Sequence, residues 1–445
     1  MKHFWAKSMA GLLASTLLLS ACSTSGGNQE NEKAEGTSKN EVVTLKFNTW
    51  NSLDAGFDVM IKEFESSHPN IKIDFVSPGD NNSLEAMKRV DLAAASGEEM
   101  DVIMVPGTNQ LVPRIALDMF EPLDDYMAKE GVAYEDEYKV DLKVNNKYYG
   151  LPGTMTTNLV IINEDHLKEA GLEVPKDWTW DEYLEYAKAM TKTENGKTRY
   201  GNYFHTWANY ASLALNGQME NTGLVMDDHK TANILNPALK KSLELRLQSE
   251  KDKSSTPYAE VISQKLNYRP QYLNQDASML ITGSYILVDV GGTETVPANF
   301  KTAFAPYPKM NKEDPMVGPI SADILTIYGR SKHKEEAYTF VRWFTTEWLT
   351  MQGQYLPSWK GADLEQVVDK IISNTQTPEH VDKESLLYVL NNSITPKINV
   401  PVSYQPEVEK IFIEEFDRMM LSNQDLDTTM KNMNEKIQKL IDDRQ

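Results

Sequence analysis

The sequence predicts an α/β protein with two α/β units, and three observations support this prediction. The chain has 445 residues, which is enough for two or three domains of roughly 150 residues each. Hydrophobic patterns typical of strands and helices alternate between residues 43 and 105. The same alternation begins again beyond residue 143, so we expect two units side by side with a cleft between them.

The first unit has the pattern of a βαβαβ fold. In chain order it contains a strand at 43–47, a helix from Phe57 to Phe64, a strand at 71–75, a helix from Leu84 to Ala95 and a strand at 102–105. Pro69 and Gly97 end the two helices. Ligands bind beyond the carboxyl ends of such parallel strands. Those ends are the polar segments 48–51, 77–80 and 106–109.

The middle and the end of the chain carry further signals. A hairpin is predicted at 143–149 about Asn145 and Asn146, and a buried strand at 159–162. The segment 179–182 has the pattern of a capping box, with Trp178 placed to pack on Tyr183. Apolar spacing indicates more helices around 337–348, 408–416 and 430–440.

Composition excludes several classes of protein. With 45 basic and 65 acidic side chains the net charge is −20, so a nucleic-acid partner is not expected. The motifs G-x-S-x-G, H-E-x-x-H, G-x-G-x-x-G and the P-loop do not occur, and the seven histidines are scattered. We therefore expect no catalytic residues, no metal site and no cofactor. A pair of glycosidase carboxylates is an alternative that 65 acidic residues leave open.

The N-terminus has the pattern of an export signal. Lys2 and Lys7 precede an apolar stretch that is too short to span a bilayer, so residues 1–21 are predicted to be a signal peptide. The letters LSAC at 19–22 resemble the bacterial lipobox, which implies that Cys22 is lipidated. Residues 22–40 contain no large apolar side chain and are predicted to be a flexible tether. The alternative is an ordinary signal peptide with a free cysteine.

Five segments in the same order carry a resemblance to a known family. They are NNKYYGLP at 145–152, IINEDHLKEAGL at 161–172, PKDWTWDEY at 175–183, LNQDASMLITGSY at 273–285 and SKHKEEAYTFVRWF at 331–344. They resemble motifs of bacterial extracellular solute-binding proteins of family 1, the maltose-binding-like receptors of ABC importers. Two departures are Gln275-Asp276, where the family usually has Gly-Lys, and Tyr285, where tryptophan is common.

The resemblance implies a two-lobe, periplasmic-binding-protein-like fold of type II, with discontinuous lobes joined by hinge crossings. We expect the crossings near 153–157, 304–307 and 328–331. The N-terminal lobe is then 41–153 plus 305–328, and the C-terminal lobe 154–304 plus 329–445.

The resemblance also implies a function. We expect a monomeric receptor that captures a sugar by hinge closure and delivers it to an ABC permease, without acting as an enzyme. A lipid anchor would hold it at the extracytoplasmic face of the cell membrane, outward in a Gram-positive cell and periplasmic in a Gram-negative one. Aromatic residues at the expected cleft favour an oligosaccharide. The alternatives are a receptor for a peptide, polyamine or phosphate ester, and a lipid-anchored glycan-processing enzyme.

Candidate ligand contacts follow from loop position and resemblance together. They are Trp50, Asn51, Thr108, Asn109, Thr156, Asn158, Trp207, Tyr210, Gly283, Ser284, Tyr285, Asp323, Trp359 and Tyr404. For Trp50, Trp207 and Tyr210 the alternative is a place in the core. Thr108 and Asn109 could instead cap a helix. Thr156 and Asn158 lie at the first expected crossing and could instead serve only the hinge. Lys360 is the basic candidate for an acidic sugar.

Overall fold

The structure, a computed structural model, describes residues 42–79, 82–293 and 296–444. The expected signal peptide at 1–21, the expected lipidation site Cys22 and the expected tether at 22–40 lie outside the described residues. Across the described ranges, no helix combines the length and apolar character needed to cross a bilayer.

Strands form one continuous hydrogen-bonded path through the molecule. In chain order they are β1 (Val43–Asn48), β2 (Ile71–Val76), β3 (Val102–Pro106), β4 (Leu151–Asn163), β5 (Lys192–Glu194), β6 (Lys197–Tyr203), β7 (Ala277–Gly283), β8 (Thr302–Ala305), β9 (Ile320–Ile327) and β10 (Leu356–Pro357). The path runs β2-β1-β3-β9-β4-β7-β6-β5, and β8 and β10 also pair with β4.

The helices cover both ends of this path. In chain order they are α1 (Asp58–Ser67), α2 (Ser83–Ser96), α3 (Thr108–Ile115), α4 (Asp124–Glu130), α5 (Tyr134–Glu137), α6 (Glu164–Glu169), α7 (Trp180–Met190), α8 (Leu213–Asn216), α9 (Pro237–Lys251), α10 (Tyr258–Ser263), α11 (Tyr268–Leu273), α12 (Lys334–Trp343), α13 (Leu349–Met351), α14 (Leu364–Ser373), α15 (Lys383–Asn392), α16 (Gln405–Ser422) and α17 (Leu426–Asp442).

The long strand β4 divides the path into two sheets. Its first part, Leu151–Thr157, pairs antiparallel with β9, and its second part, from Asn158, pairs with β7 and β8. We call β2, β1, β3, β9, β10 and the first part of β4 the first sheet. The second part of β4 with β8, β7, β6 and β5 is the second sheet. The chain thus changes lobe within one strand, at Thr157 and Asn158.

The βαβαβ prediction for the first sheet is confirmed. Strand β1 pairs in parallel with both β2 and β3, and α1 and α2 lie between them in the chain. Helix α2 ends at Gly97, whose φ of +79° is the left-handed conformation that glycine adopts without strain. The carboxyl ends of these strands therefore meet at one edge of the sheet, as the sequence indicates.

Two local predictions for the second unit are also confirmed. Thr179 and Glu182 form the expected capping box at the start of α7. The ring of Trp178 lies 5.4 Å from that of Tyr183, edge to face. At Asn145 and Asn146 the φ angles are +50° and +61°, which make a tight turn, although its arms form an isolated bridge rather than two strands.

The expected place of the helical tail was wrong in part. We expected residues from 329 onward to pack on the C-terminal lobe, but α12 packs against the first sheet. The ring of Phe340 lies 5.2 Å from that of Phe47 and 4.9 Å from that of Phe64. The apolar face of α12 is therefore needed to complete the first core. Helices α16 and α17 belong to the core of the second sheet.

Two of the expected crossings, those near 304–307 and 328–331, also lie elsewhere. Trp178 Nε1 donates to the carbonyl oxygen of Pro306 (2.7 Å), so the chain stays with the second sheet beyond Ala305. It reaches the first sheet only at Ile320, where β9 begins. The last crossing lies between Trp359, which bridges to Tyr138, and Val381, which bridges to Thr302 of β8. It does not lie near 328–331.

Candidate functional site

A cleft lies between the edge of the first sheet and loops of the second sheet. It has two compartments, with volumes of about 470 Å³ and 650 Å³. Both are lined by the same waist, which consists of Pro106, Gly107, Thr156, Trp207, Tyr285, Ser321 and Ala322. A ligand that occupies both compartments must therefore pass Trp207 and Tyr285.

The smaller compartment, here the amide compartment, is lined mostly by polar side chains. Its amides come from Asn109, Asn158, Asn209, Asn216, Asn399 and Gln405, and Lys397 and Glu409 add charges. The larger one, here the aromatic compartment, is lined by the rings of Trp50, Phe57, Tyr268, Phe344, Trp348 and Tyr355 together with Asn51, Arg269 and Asp323. The cleft thus offers hydrogen-bonding groups at one end and apolar rings at the other.

The first wall is built by the carboxyl ends of the strands. Trp50 and Asn51 follow β1, and Asn51 Nδ2 donates to Thr49 Oγ1 (3.1 Å), which fixes the turn. Gly107 has a φ of +83° and lets the chain turn from β3 into α3. Asp323 comes from β9, next to the first part of β4.

The second wall is an aromatic cluster. Trp207 is 46% exposed, and its ring lies 5.6 Å from that of Tyr268 and 6.4 Å from that of Tyr285. The buried ring of His205 meets Trp207 edge to face at 4.6 Å. Burial lowers the pKa of His205 to about 4, so its imidazole is neutral at neutral pH. The exposed face of Trp207 is thus held in place by rings behind it.

Among the described residues, two carboxylates line the cleft, one in each compartment. Asp323 accepts a hydrogen bond from Thr154 Oγ1 (2.8 Å), and burial raises the pKa of its carboxyl to about 6. Glu409 accepts hydrogen bonds from Asn109 Nδ2 (2.7 Å) and Gln405 Nε2 (3.3 Å), and burial raises its pKa as well. Both acids can accept further hydrogen bonds from a ligand.

Most of the residues expected at the site line the cleft. They are Trp50, Asn51, Thr108, Asn109, Thr156, Asn158, Trp207, Tyr285 and Asp323. Trp50 is only 9% exposed, so it is part of the core and also of the cleft wall. Thr108 Oγ1 donates to the carbonyl oxygen of Asn399 (3.0 Å), a contact between the start of α3 and the loop that precedes α16.

Three expected residues lie behind the wall instead. Tyr210 is 3% exposed and donates to the carbonyl oxygen of Ile281 (2.8 Å), so it belongs to the core. Ser284 is buried, and its Oγ accepts from the backbone N–H of Thr157 (3.2 Å). Gly283 leaves room for its neighbours, because a Cβ there would lie 2.4 Å from Thr156 Cγ2. These residues shape the wall without lining it.

Trp359 and Tyr404 were also expected at the cleft, and neither lines it. Trp359 Nε1 donates to Glu137 Oε2 (3.0 Å), which ties it to the segment before β4. Tyr404 precedes α16 and lies under Arg444. Lys360, the basic candidate, donates to the carbonyl oxygen of Glu135. In the part of the chain that the structure describes, the cations that line the cleft are Arg269 and Lys397.

Sequence reasoning missed several residues that line the cleft, among them Tyr268, Arg269, Trp348, Tyr355 and Glu409. For Tyr268 and Arg269 a signal was available, because Asn267 caps α11 just before them. Trp348 has helical spacing, which suits a core residue equally well. Glu409 shows no local signal, since only the approach of α16 to α3 brings it there.

The described part of the chain contains no group of three or more His, Cys, Asp or Glu side chains that could hold a metal ion. The described side chains that line the cleft offer ring surfaces, amides, hydroxyls, two carboxylates and the two cations Arg269 and Lys397. Such groups bind a polar ligand by stacking and hydrogen bonding.

Comparison with known proteins finds a relative of similar sequence and solved structures of similar fold. Over 359 residues it is 25% identical to the multiple sugar-binding protein of Streptococcus mutans, covering 78% of this chain and 80% of that protein. The fold matches a sugar transporter from Rhizobium etli in an open conformation, with a TM-score of 0.72, 20% identity and coverage of 88% of this chain and 98% of that one.

A second solved structure has the same fold. It is an ABC substrate-binding protein from Listeria monocytogenes in complex with cycloalternan, with a TM-score of 0.71, 19% identity and coverage of 90% of this chain and 98% of that one. The fold is thus the type II fold of periplasmic binding proteins. The family model described as bacterial extracellular solute-binding protein matches residues 49–347, and the chain belongs to this family.

Proposed function

We propose that the protein is the substrate-binding component of an ABC importer and that it captures an oligosaccharide in the cleft. The observation that carries this proposal is the aromatic cluster of Trp207, Tyr268 and Tyr285 at the waist of a cleft with amides at one end. Sugar rings have apolar C–H faces that stack on aromatic rings and hydroxyls that bond to amides and carboxylates. Similarity to a multiple sugar-binding protein supports the same ligand class.

An oligosaccharide fits better than a monosaccharide. The two compartments of about 470 Å³ and 650 Å³ meet at the waist, so a ligand of several sugar units fills both. Trp207 and Tyr285 then stack on the middle of the ligand, while Asp323 and Asn109 bond to hydroxyls at its two ends. A micromolar affinity corresponds to about −8 kcal/mol, which two or three stacked rings and several hydrogen bonds supply.

The two sheets supply the motion that capture requires. The connections between them include β4, which continues from one sheet to the other at Thr157 and Asn158. Asn158 also donates twice to the carbonyl oxygen of Pro319, through its backbone N–H (2.7 Å) and through Nδ2 (3.0 Å). A ligand that touches both walls favours the closed form, which the permease recognises. A lipid anchor at Cys22 would keep this monomer at the extracytoplasmic face of the membrane.

Binding of a panel of neutral oligosaccharides, measured by thermal shift and calorimetry, tests the function. We expect at least one of them to raise the melting temperature and to be recovered intact. Trp207→Ala and Tyr285→Ala should each weaken its binding at least tenfold, or about 1.4 kcal/mol, because each removes a stacking surface. Tyr388→Ala, which removes a half-buried ring of α15 outside the cleft, is the control and should leave affinity unchanged.

Two results would contradict the proposal. Hydrolysis of the oligosaccharide would favour the glycan-processing enzyme. Binding of a peptide, polyamine or phosphate ester with no response to any glycan would favour a receptor for another solute.

A further inference from the structure

The charges in the cleft are not balanced. Asp323 accepts from the hydroxyl of Thr154, and Glu409 accepts from the amides of Asn109 and Gln405. All of these donors are neutral. In the described part of the chain no ion pair is formed by either carboxylate. Each compartment therefore contains one carboxylate without a cationic partner.

Among the described residues, each of the two cations that line the cleft has an acidic partner. Arg269 Nε lies 2.5 Å from Asp289 Oδ2, and its guanidinium also lies over the ring of Tyr268 at 4.9 Å. Lys397 Nζ lies 3.8 Å from Asp227 Oδ2. Because these positive charges have acidic partners and the two cleft carboxylates have none, the space offered to a ligand is negative overall.

Burial makes this imbalance costly. Burial raises the pKa of both carboxyl groups, to about 6 for Asp323, because it takes their charge out of water. A charged donor offsets that cost more than a neutral hydroxyl does, since it adds the Coulomb attraction between opposite charges to the hydrogen bond. A positively charged ligand should therefore gain more binding free energy in this site than a neutral one.

Two further features favour a cation. The faces of Trp207, Tyr268 and Tyr285 carry negative quadrupole charge that attracts cations within about 6 Å. The net charge of −20 raises the local concentration of cationic solutes around the protein.

We propose that the ligand is an amino-sugar oligosaccharide with protonated amino groups that reach Asp323 in one compartment and Glu409 in the other. The inference rests on the proposed function, because it assumes that the cleft binds a glycan. It adds that the cleft selects glycans by charge. The pyranose rings stack at the waist in the same manner as those of a neutral sugar.

Calorimetry with three β-1,4-linked tetrasaccharides tests the inference. They are the glucosamine tetramer, cellotetraose and the N-acetylglucosamine tetramer, which share one backbone and differ at carbon 2 of each unit. At pH 7 we expect the glucosamine tetramer to bind at least tenfold more tightly than the other two. Its advantage should shrink as salt is raised, because salt screens the charges.

Variants identify the groups responsible. Asp323→Asn and Glu409→Gln should each weaken binding of the glucosamine tetramer at least tenfold and reduce its advantage over cellotetraose. Glu414→Gln, on the exposed side of α16, is the matched control and should change neither. Unfolding curves of each variant verify that the fold is kept.

Several outcomes would overturn the inference. Equal or tighter binding of cellotetraose or of the N-acetylated tetramer would do so, and so would failure of all three to bind. The proposed function would survive the first outcome, because a neutral oligosaccharide binds. It would survive the second if another neutral oligosaccharide from the panel binds. Binding of spermidine with no glycan binding at all would overturn both proposals together.

Discussion

At the scale of single residues, the same sequence pattern predicted Trp207 and Tyr210 at the cleft, but the structure places only one of them there. Trp207 and Tyr210 lie three residues apart, which predicts a shared face if the segment is helical. In the structure only Ala208–Ala211 is helical, as one 3₁₀ turn, so Trp207 precedes it and faces the cleft while Tyr210 is buried. The sequence could predict that aromatic residues lie near the cleft. Which of them faces the cleft depends on the geometry of a single turn, which the sequence does not specify.

Two buried histidines make stability depend on pH. Burial, together with the charge of Arg199 for His166, lowers the pKa of His166 to about 4, and burial alone does the same for His205. The unfolded chain takes up protons below the ordinary value of 6.5 while the folded protein does not. The stability that depends on these two histidines is therefore fully present above pH 6.5. It is lost as the pH is lowered towards 4, by at most about 3 kcal/mol per histidine.

Urea unfolding at several pH values between 7 and 4.5 measures this effect. His166→Gln and His205→Gln should each flatten the dependence, because glutamine does not titrate. Asp323 changes stability with pH in the opposite direction. Burial raises the pKa of its carboxyl, so the stability that it contributes at low pH is lost as the pH rises through about 6. A pH dependence that is as steep in both variants as in the wild-type protein would contradict the assignment.

At the scale of elements, the sequence predicted those features whose causes are local. The strands and helices of the first sheet, the end of α2 at Gly97 and the capping box of α7 each depend on residues a few positions apart. The crossing points depend instead on which core an apolar helix completes. The apolar spacing of α12 suits either sheet, and the contacts of Phe340 with Phe47 and Phe64, which lie far away in the chain, place it on the first.

The capping box offers a test at this scale. The backbone N–H of Thr179 donates to Glu182 Oε2 (2.7 Å), and Thr179 Oγ1 accepts from the backbone N–H of Glu182 (3.4 Å). Thr179→Ala should destabilise the protein by about 1 kcal/mol, measured by urea unfolding, because one helical N–H loses its acceptor. Thr339→Ala, inside α12, removes the same atoms without uncapping a helix and should cost little. An equal loss in both variants would show that the cap contributes nothing specific.

At the scale of the whole molecule, two hydrogen bonds join the lobes beside the cleft. Asn109 Nδ2 donates to Glu409 Oε1 (2.7 Å), and Thr108 Oγ1 donates to the carbonyl oxygen of Asn399 (3.0 Å). Asn109 and Thr108 begin α3 at the edge of the first sheet, whereas Glu409 lies on α16, which packs in the second core. No local pattern could predict these contacts, since about 300 residues separate the partners in the chain.

These two bonds should favour the closed form even without ligand. Each is worth about 1 kcal/mol net, so the double variant Thr108→Val with Asn109→Ala should shift the closed-to-open ratio by about 2 kcal/mol, or roughly thirtyfold. Small-angle scattering of the ligand-free protein should then show a larger radius of gyration than the wild-type protein, while Glu414→Gln on α16 should not. Scattering without ligand separates this effect from any contact that Asn109 makes with the ligand. If the double variant scatters as the wild type does, the contacts between Asn109 and Glu409 and between Thr108 and Asn399 do not hold the lobes together.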